Sequence, residues 1–408
     1  MLSTEAAATP WPGRQVSIMT LAKQTVVRAA CILIAAASIL VIGLQPIFIG
    51  LLTERLTLSL AQQSWTMSVE MCGSIVGTLL YLPMIRYLGP RAIALSSALL
   101  LLFANAATAS ITALDPLLVL RCLSGLCSGV LYSYAIYWLG SMSGQDRSFG
   151  ILLFVQTALF SSSAVIMPMI AEWRGFAGAI YYLSGWFGLV CLLCFCLPVK
   201  QSADQQHRSS EPLLSGLTLV GVCSLFGMLF LQLSIYSLWG FVEGIASDAG
   251  VAPVEIGWAI SIGLLGGLPG AALPSVAGRH LGRVPMILTG SLAVLGAIYL
   301  LAARIHTASD LMIAVFLMNF GWNLALSYYM SSVVTHDPTG RLTKLVGVVQ
   351  VASAAAAPTL LSLFIEGNDR RSIFVLSSGA ILIGCVLMVV MLSFGRRKVP
   401  GKALDYSA

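Results

Sequence analysis

The sequence predicts an all-α integral membrane protein of twelve transmembrane helices arranged as two pseudo-symmetric six-helix bundles. Three observations predict it: the composition, the length of the apolar runs and an internal repeat. Of 408 residues, 58% are hydrophobic and 9% charged, and the mean hydropathy is +0.91. A soluble chain carries about 25% charged residues, so this one lacks the charge to clothe a water-facing surface. The same figures exclude disorder, collagen-like repeats and a disulfide scaffold, and they argue against a soluble enzyme.

A helix needs about 20 residues at 1.5 Å each to cross the hydrocarbon. Runs of that kind are expected at 30–51, 64–85, 92–112, 117–139, 150–171, 177–197, 215–240, 255–277, 285–303, 310–333, 344–366 and 372–394. They are continuous rather than alternating and twice the length of a barrel strand, which excludes a β-barrel. The apolar stretch Ala29 to Leu52 is too long for a signal-peptide core and has no small-residue cleavage site, so it reads as an uncleaved first span. The one long polar stretch inside the chain, Pro198 to Pro212, divides the spans six and six. The expected organisation is therefore an N-terminal segment 1–29, a first bundle 30–197, a linker 198–214, a second bundle 215–394 and a tail 395–408.

Of the 22 Lys and Arg residues, about 16 fall in loops on one side and 5 on the other. The positive-inside rule then places both termini and the linker in the cytoplasm, with the chain in the inner membrane. This topology accounts for the net charge of +6. Because the basic residues are spread over many loops, no nucleic-acid partner is expected.

The two halves echo one another. Gly73, Gly77, Arg86, Leu88 and Gly89 recur as Gly266, Gly270, Arg279, Leu281 and Gly282, all at an offset of 193. Asp115 and Tyr134 recur as Asp310 and Tyr329 at 195. Parallel repeats about an axis normal to the membrane are what a two-bundle transporter has.

Twelve spans, a central loop, Arg-Tyr-Leu-Gly-Pro-Arg at 86–91 and its echo Arg-His-Leu-Gly-Arg at 279–283 together resemble the major facilitator superfamily. The resemblance covers nearly the whole chain. It implies gating loops at Arg86, Gly89 and Arg91 and at Arg279, Gly282 and Arg283, although the acidic residue that usually opens the family's loop is missing from both. Span 4 carries Arg121, Gly125 and Gly129, similar to the family's Arg-x-x-x-Gly pattern, whose arginine faces the bundle interior and is often tied to proton coupling. Independently of the family, a cation at that depth costs several kcal/mol unless it meets water or an anion. Glu70 in span 2 stands at similar depth and is the expected partner. Two roles follow for the pair: coupling or binding, or a fixed ion pair that only joins spans 2 and 4.

The resemblance also implies that spans 1, 4, 7 and 10 line the cavity. Their polar residues are Gln45; Tyr132, Tyr134 and Tyr137; Gln232, Tyr236 and Trp239; and Asn319, Trp322, Asn323 and Tyr328. Amides and phenols can hydrogen-bond a neutral or zwitterionic solute, and rings can stack on a planar one. The alternative is that they bond to neighbouring helices or belong to the interfacial aromatic belt. Cys191, Cys194 and Cys196 crowd span 6 without a nearby His or carboxylate, so no metal site is expected. The four His fall in loops, no nucleophilic triad can be assembled, and Gly73-x-x-x-Gly77 lacks the Lys-Ser/Thr of a nucleotide loop. No cofactor and no enzymatic activity are expected. The reading is a secondary permease, functional as a monomer, importing a small neutral or zwitterionic aromatic or heterocyclic compound with proton coupling. An efflux pump for amphipathic compounds is the alternative. Met167 before Pro168, where the family's drug and proton antiporters have Gly-Pro, tilts the reading toward uptake.

Overall fold

The computed structural model describes residues 21–142, 145–197, 218–277, 282–336, 341–364 and 370–395. Among them every regular element is helical. The first half runs α1 (Leu21–Ser38), α2 (Leu40–Gly43), α3 (Gln45–Leu56), α4 (Leu60–Tyr87), α5 (Pro90–Thr108), α6 (Leu114–Ser141) and α7 (Gln145–Leu193). The second runs α8 (Leu219–Trp239), α9 (Val242–Asp248), α10 (Pro253–Leu264), α11 (Gly267–Ala277), α12 (Arg283–Ala303), α13 (Ala308–Thr335), α14 (Arg341–Phe364) and α15 (Arg371–Gly395). Nine stretches among the described residues are long and apolar enough to cross a membrane.

Nine is fewer than the twelve runs expected, and the reasons are local. Expected spans 5 and 6 fall on one apolar stretch, Ile151–Cys196, interrupted only at Gly175, whose φ of 72° no side-chain-bearing residue adopts readily. Expected span 1 is divided among α1, α2 and α3. Pro46 at the start of α3 has no N–H to give and its ring crowds the carbonyl four residues back, so the helix breaks just before it. Expected span 11 is represented among the described residues by the apolar helix Val348–Phe364, just too short to count. Pro269 breaks the helix between α10 and α11 as well, where Leu265 and Gly266 leave it, but Pro253–Pro274 still counts as one stretch. The twelfth-span arithmetic of the sequence thus stays an expectation, while the all-helical membrane fold is observed.

The repeat at offset 193 turns out to be a packing device. A Cβ on Gly73 or Gly77 of α4 would fall 2.4 or 2.0 Å from the carbonyl oxygens of Cys122 or Leu126 on α6. In the second half a Cβ on Gly266 or Gly270 would fall 2.3 or 2.4 Å from the carbonyls of Phe316 or Phe320 on α13. Only a residue without a side chain lets the two backbones approach this closely. The first half adds a reciprocal pair, Gly125 and Gly129 of α6 against the carbonyls of Glu70 and Ser74.

We call the end of the molecule bearing the turns at Gly89, Leu197 and Gly282 the first end, and the end bearing Ser59, Gly175 and Gly250 the second end. The halves meet where α4 packs on α14, α7 on α10 and α3 on α9. Met71, Ile75 and Leu79 lie one turn apart on one face of α4. Met71 is buried against Ala354 and Ala355 of α14 with Ile75 beside it, whereas Leu79, nearer the first end, is 62% exposed. On α14, Val348 is likewise exposed. The halves therefore touch from mid-height to the second end and diverge toward the first.

Candidate functional site

The close α4–α6 crossing sets Glu70 beside Arg121. Both are buried, and Arg121 Nη1 lies 3.5 Å from Glu70 Oε1. A charge in such surroundings is tolerated only when it is paired and hydrogen-bonded. Arg121 donates to Asn105 Oδ1 from both terminal nitrogens at 3.2 Å and to Thr108 Oγ1 at 2.7 Å. Its guanidinium lies over the Phe48 ring, 5.0 Å from the centroid, where the ring's electron-rich face attracts a cation. Ser124 Oγ donates to Glu70 Oε1 at 3.4 Å and accepts from Asn105 Nδ2 at 3.2 Å. Arg121 Nε has no hydrogen-bond partner among the described residues.

The result is a closed polar nest drawn from α3, α4, α5 and α6 inside the first half. Of its members, the sequence had singled out only Glu70 and Arg121. Asn105 and Thr108 were legible in principle: they are polar residues three apart on one face of an otherwise apolar run. Phe48 and Ser124 carry no sequence signal of their own.

The residues expected to line a cavity divide into two groups. In the second half, Trp322 Nε1 donates to Gln232 Oε1, and the Tyr236 ring stands edge-on to Trp322 with centroids 6.1 Å apart. Tyr236 of α8 packs against the cluster of Met71, Ala354 and Ala355, with Ile42 and Ile75 beside it, where the two halves meet, and Tyr132 of α6 packs against the core. Asn319 and Asn323 donate to carbonyls one turn back on their own helix, Val315 and Asn319, and the Asn323 amide lies 3.0 Å from where a Cβ on Gly267 would stand. The side-chain oxygen of Gln45 approaches Gly240 across the halves. Trp239 and Tyr328 are buried in the core.

Tyr134 and Tyr137 are placed elsewhere. Their rings pack with Tyr81 and Trp138, at 6.0 Å centroid separation for Tyr81–Tyr134 and for Tyr81–Tyr137. Tyr134 is wholly buried, so it fills the core of the first half rather than facing the divergence between halves. Helical periodicity explains this: Tyr134 lies two residues past Tyr132, about 200° around the helix.

At the first end, Gly89 caps the start of α5, and Arg91 Nε donates to the Leu197 carbonyl at 2.9 Å, tying α5 to the end of α7. Gly282 caps α12 with a φ of 72°, and Arg283 donates to Thr335 Oγ1 at 2.9 Å, tying α12 to the end of α13. Both arginines thus act within their own half. Arg279 and the side chain of Arg86 lie outside the described residues.

Comparison with known proteins agrees with the all-helical fold. The family model described as "Major Facilitator Superfamily" matches residues 30–352. No curated protein matches the chain by sequence. Among solved structures, the nucleoside transporter NupG superposes with a TM-score of 0.66 at 12% identity, over 93% of this chain and 100% of that one. The POT family transporter PepTSo gives 0.68 at 12%, over 93% and 99%. A bacterial homologue of the human lysosomal transporter Spinster, in an inward-facing and unoccupied conformation, gives 0.62 at 10%, over 92% and 96%. At these identities the likeness is one of fold.

Proposed function

This chain belongs to the Major Facilitator Superfamily, and on that premise we propose that it is a secondary transporter importing a small neutral or zwitterionic aromatic or heterocyclic solute together with protons. The observation that carries the coupling half of this reading is the buried Glu70–Arg121 pair. Composition leaves almost no charge to spend inside the membrane, and intramembrane ionisable groups are functional by default. Protonation of Glu70 would leave Arg121 its neutral acceptors Asn105 and Thr108 but no counter-charge, so a change of charge state would favour rearrangement of the nest.

The solute reading rests on Gln232, Trp322 and Tyr236, which offer amide and phenol groups and ring edges where the halves meet, with no net charge among them. With the basic first end in the cytoplasm, the halves diverge toward the cytoplasm and close toward the outside. The bundles 30–197 and 215–394 would then rock about the mid-height contact of Met71 with Ala354 and Ala355.

Accumulation of a panel of aromatic and heterocyclic solutes, nucleosides included, in cells with and without an uncoupler tests the direction. Uncoupling lowers accumulation for an importer and raises it for an exporter. In proteoliposomes, Glu70→Gln is expected to abolish pH-gradient-driven uptake while leaving solute exchange intact. Gradient-driven uptake at the parent rate by that variant removes Glu70 from the mechanism.

A further inference from the structure

At the second end, charges that a sequence reading consigns to loops are drawn into one interface. Glu54 and Arg55 of α3, Glu172 of α7 and Glu243 of α9 line a single cavity of about 310 Å³ whose wall is completed by the start of α10. Gly50 and Glu54 stand one turn apart on α3 and share a face. Against that face lies the carboxyl of Glu243, from the other half: a Cβ on Gly50 would fall 2.2 Å from its Oε2. A carboxyl of the second half is thus pressed onto the bare backbone of the first, with Glu54 on the next turn. Cations relieve this only in part. Arg370, packed on Gly244, is held through Nη2 by Asp248 at 2.7 Å while its buried Nη1 has no hydrogen-bond partner among the described residues, and Arg55 shares its cavity with two other acids, Glu54 and Glu172.

We infer that Glu243, set against Glu54 across the two halves, is a second proton-binding site that latches the second end, holding it shut while protonated and driving it open when the proton leaves. The inference rests on the alternating-access reading above, but on residues separate from the Glu70–Arg121 nest. Its ligand is the proton itself, taken up as the end closes and released to the solvent on that side as it opens.

Electrostatics agree with the geometry. Burial first, then Glu54, raise the Glu243 carboxyl from its ordinary 4.5 to about 7; Arg370 opposes this and Asp248 adds to it. In the open form Glu243 returns to water and to its ordinary range. The closed form therefore binds the proton more tightly. Closure is favoured as pH falls from about 7 toward 4.5, loses that advantage as pH rises through about 7, and gains nothing further below 4.5, where both forms are protonated. Within the window the closed-to-open ratio changes by up to about tenfold per pH unit.

The test uses the full chain with its exposed native cysteines Cys72, Cys122 and Cys196 replaced by serine, and spin labels at Ser110→Cys and Ser247→Cys. These two exposed positions lie on opposite halves at the second end. The expected result is a short inter-label distance at pH 5.5 and a longer population at pH 8, with Glu243→Gln staying short at both and Glu54→Gln showing a smaller longer population at pH 8 than the parent. A distance that ignores pH in the parent, that lengthens at pH 8 in Glu243→Gln as it does in the parent, or whose response to pH is unchanged by Glu54→Gln, overturns the latch. Solute uptake by the same preparations is scored apart. pH-driven opening without any transport sustains the latch and overturns the transporter reading, whereas transport with no pH-driven opening does the reverse.

Discussion

The same helix crossing is built twice in this molecule, with opposite contents. In the first half, α4 and α6 enclose Glu70 and Arg121. At the matching positions of the second half, 193 and 194 residues on, stand Gly263 and Val315, and a Cβ on Gly263 would fall 2.6 Å from the Val315 Cβ. The flanking glycine contacts keep the same register in both halves. A glycine and a valine therefore suffice to pack this crossing, and the ion pair is not what the fold requires there. Since buried ion pairs are often no more stabilising than an apolar replacement, the asymmetry is best explained by what the first half must do besides fold.

The strongest way to break the comparison is to make one half copy the other. Arg121→Val alone leaves Glu70 without its cation and is expected to cost about 3–5 kcal/mol, read as a fall in the temperature at which the detergent-solubilised chain loses its monodisperse elution peak. The double variant Glu70→Gly with Arg121→Val, which reproduces Gly263 and Val315, should recover most of that loss while remaining unable to drive uptake with a pH gradient. If the double variant is no more stable than the single, the two crossings are not equivalent. Next in size are Gly77→Leu and Gly270→Leu, each driving a side chain into a backbone carbonyl. Each is expected to cost about 3 kcal/mol, and by similar amounts in the two halves; a large inequality would show that one ladder bears more of the packing. Asn105→Ala removes an acceptor from Arg121 and should cost about 1.5 kcal/mol, with no counterpart at the matching place in the second half. The smallest effect belongs to Trp322→Phe. It removes the N–H that donates to Gln232, should lower elution stability by about 1 kcal/mol, and, by leaving Gln232 unpositioned, should weaken solute binding roughly fivefold in a transport KM.

What the sequence made legible follows a physical pattern. Continuous apolar runs revealed the membrane fold because burial in lipid is enforced residue by residue. The five-point echo was legible because close backbone approach tolerates glycine alone, so Gly73, Gly77, Gly266 and Gly270 had to recur in register. Glu70 and Arg121 stood out because charge is so scarce inside the spans. Asn105 and Thr108 did not, since uncharged polar residues are common in membrane helices and only contact with Arg121 gives them meaning. Tyr134 was grouped with Tyr132 by helix membership, although 3.6-residue periodicity turns it to another face. The apposition of Glu54 and Glu243 was hidden for a different reason: they are 189 residues apart, and their meeting depends on how the two halves close.

Gly175 carries a mechanical consequence. It is the non-helical residue inside α7, a helix that packs on α1 and α5 of its own half and on α10 of the other, with Pro168, before the corner, bearing on Gly257. A long loop there would absorb displacement as slack. One residue cannot, so in the proposed rocking motion a push on one arm of the helix would arrive as torque on the other. Lengthening the corner by two or three flexible residues would uncouple them, leaving a chain whose parts fold but whose stroke is lost.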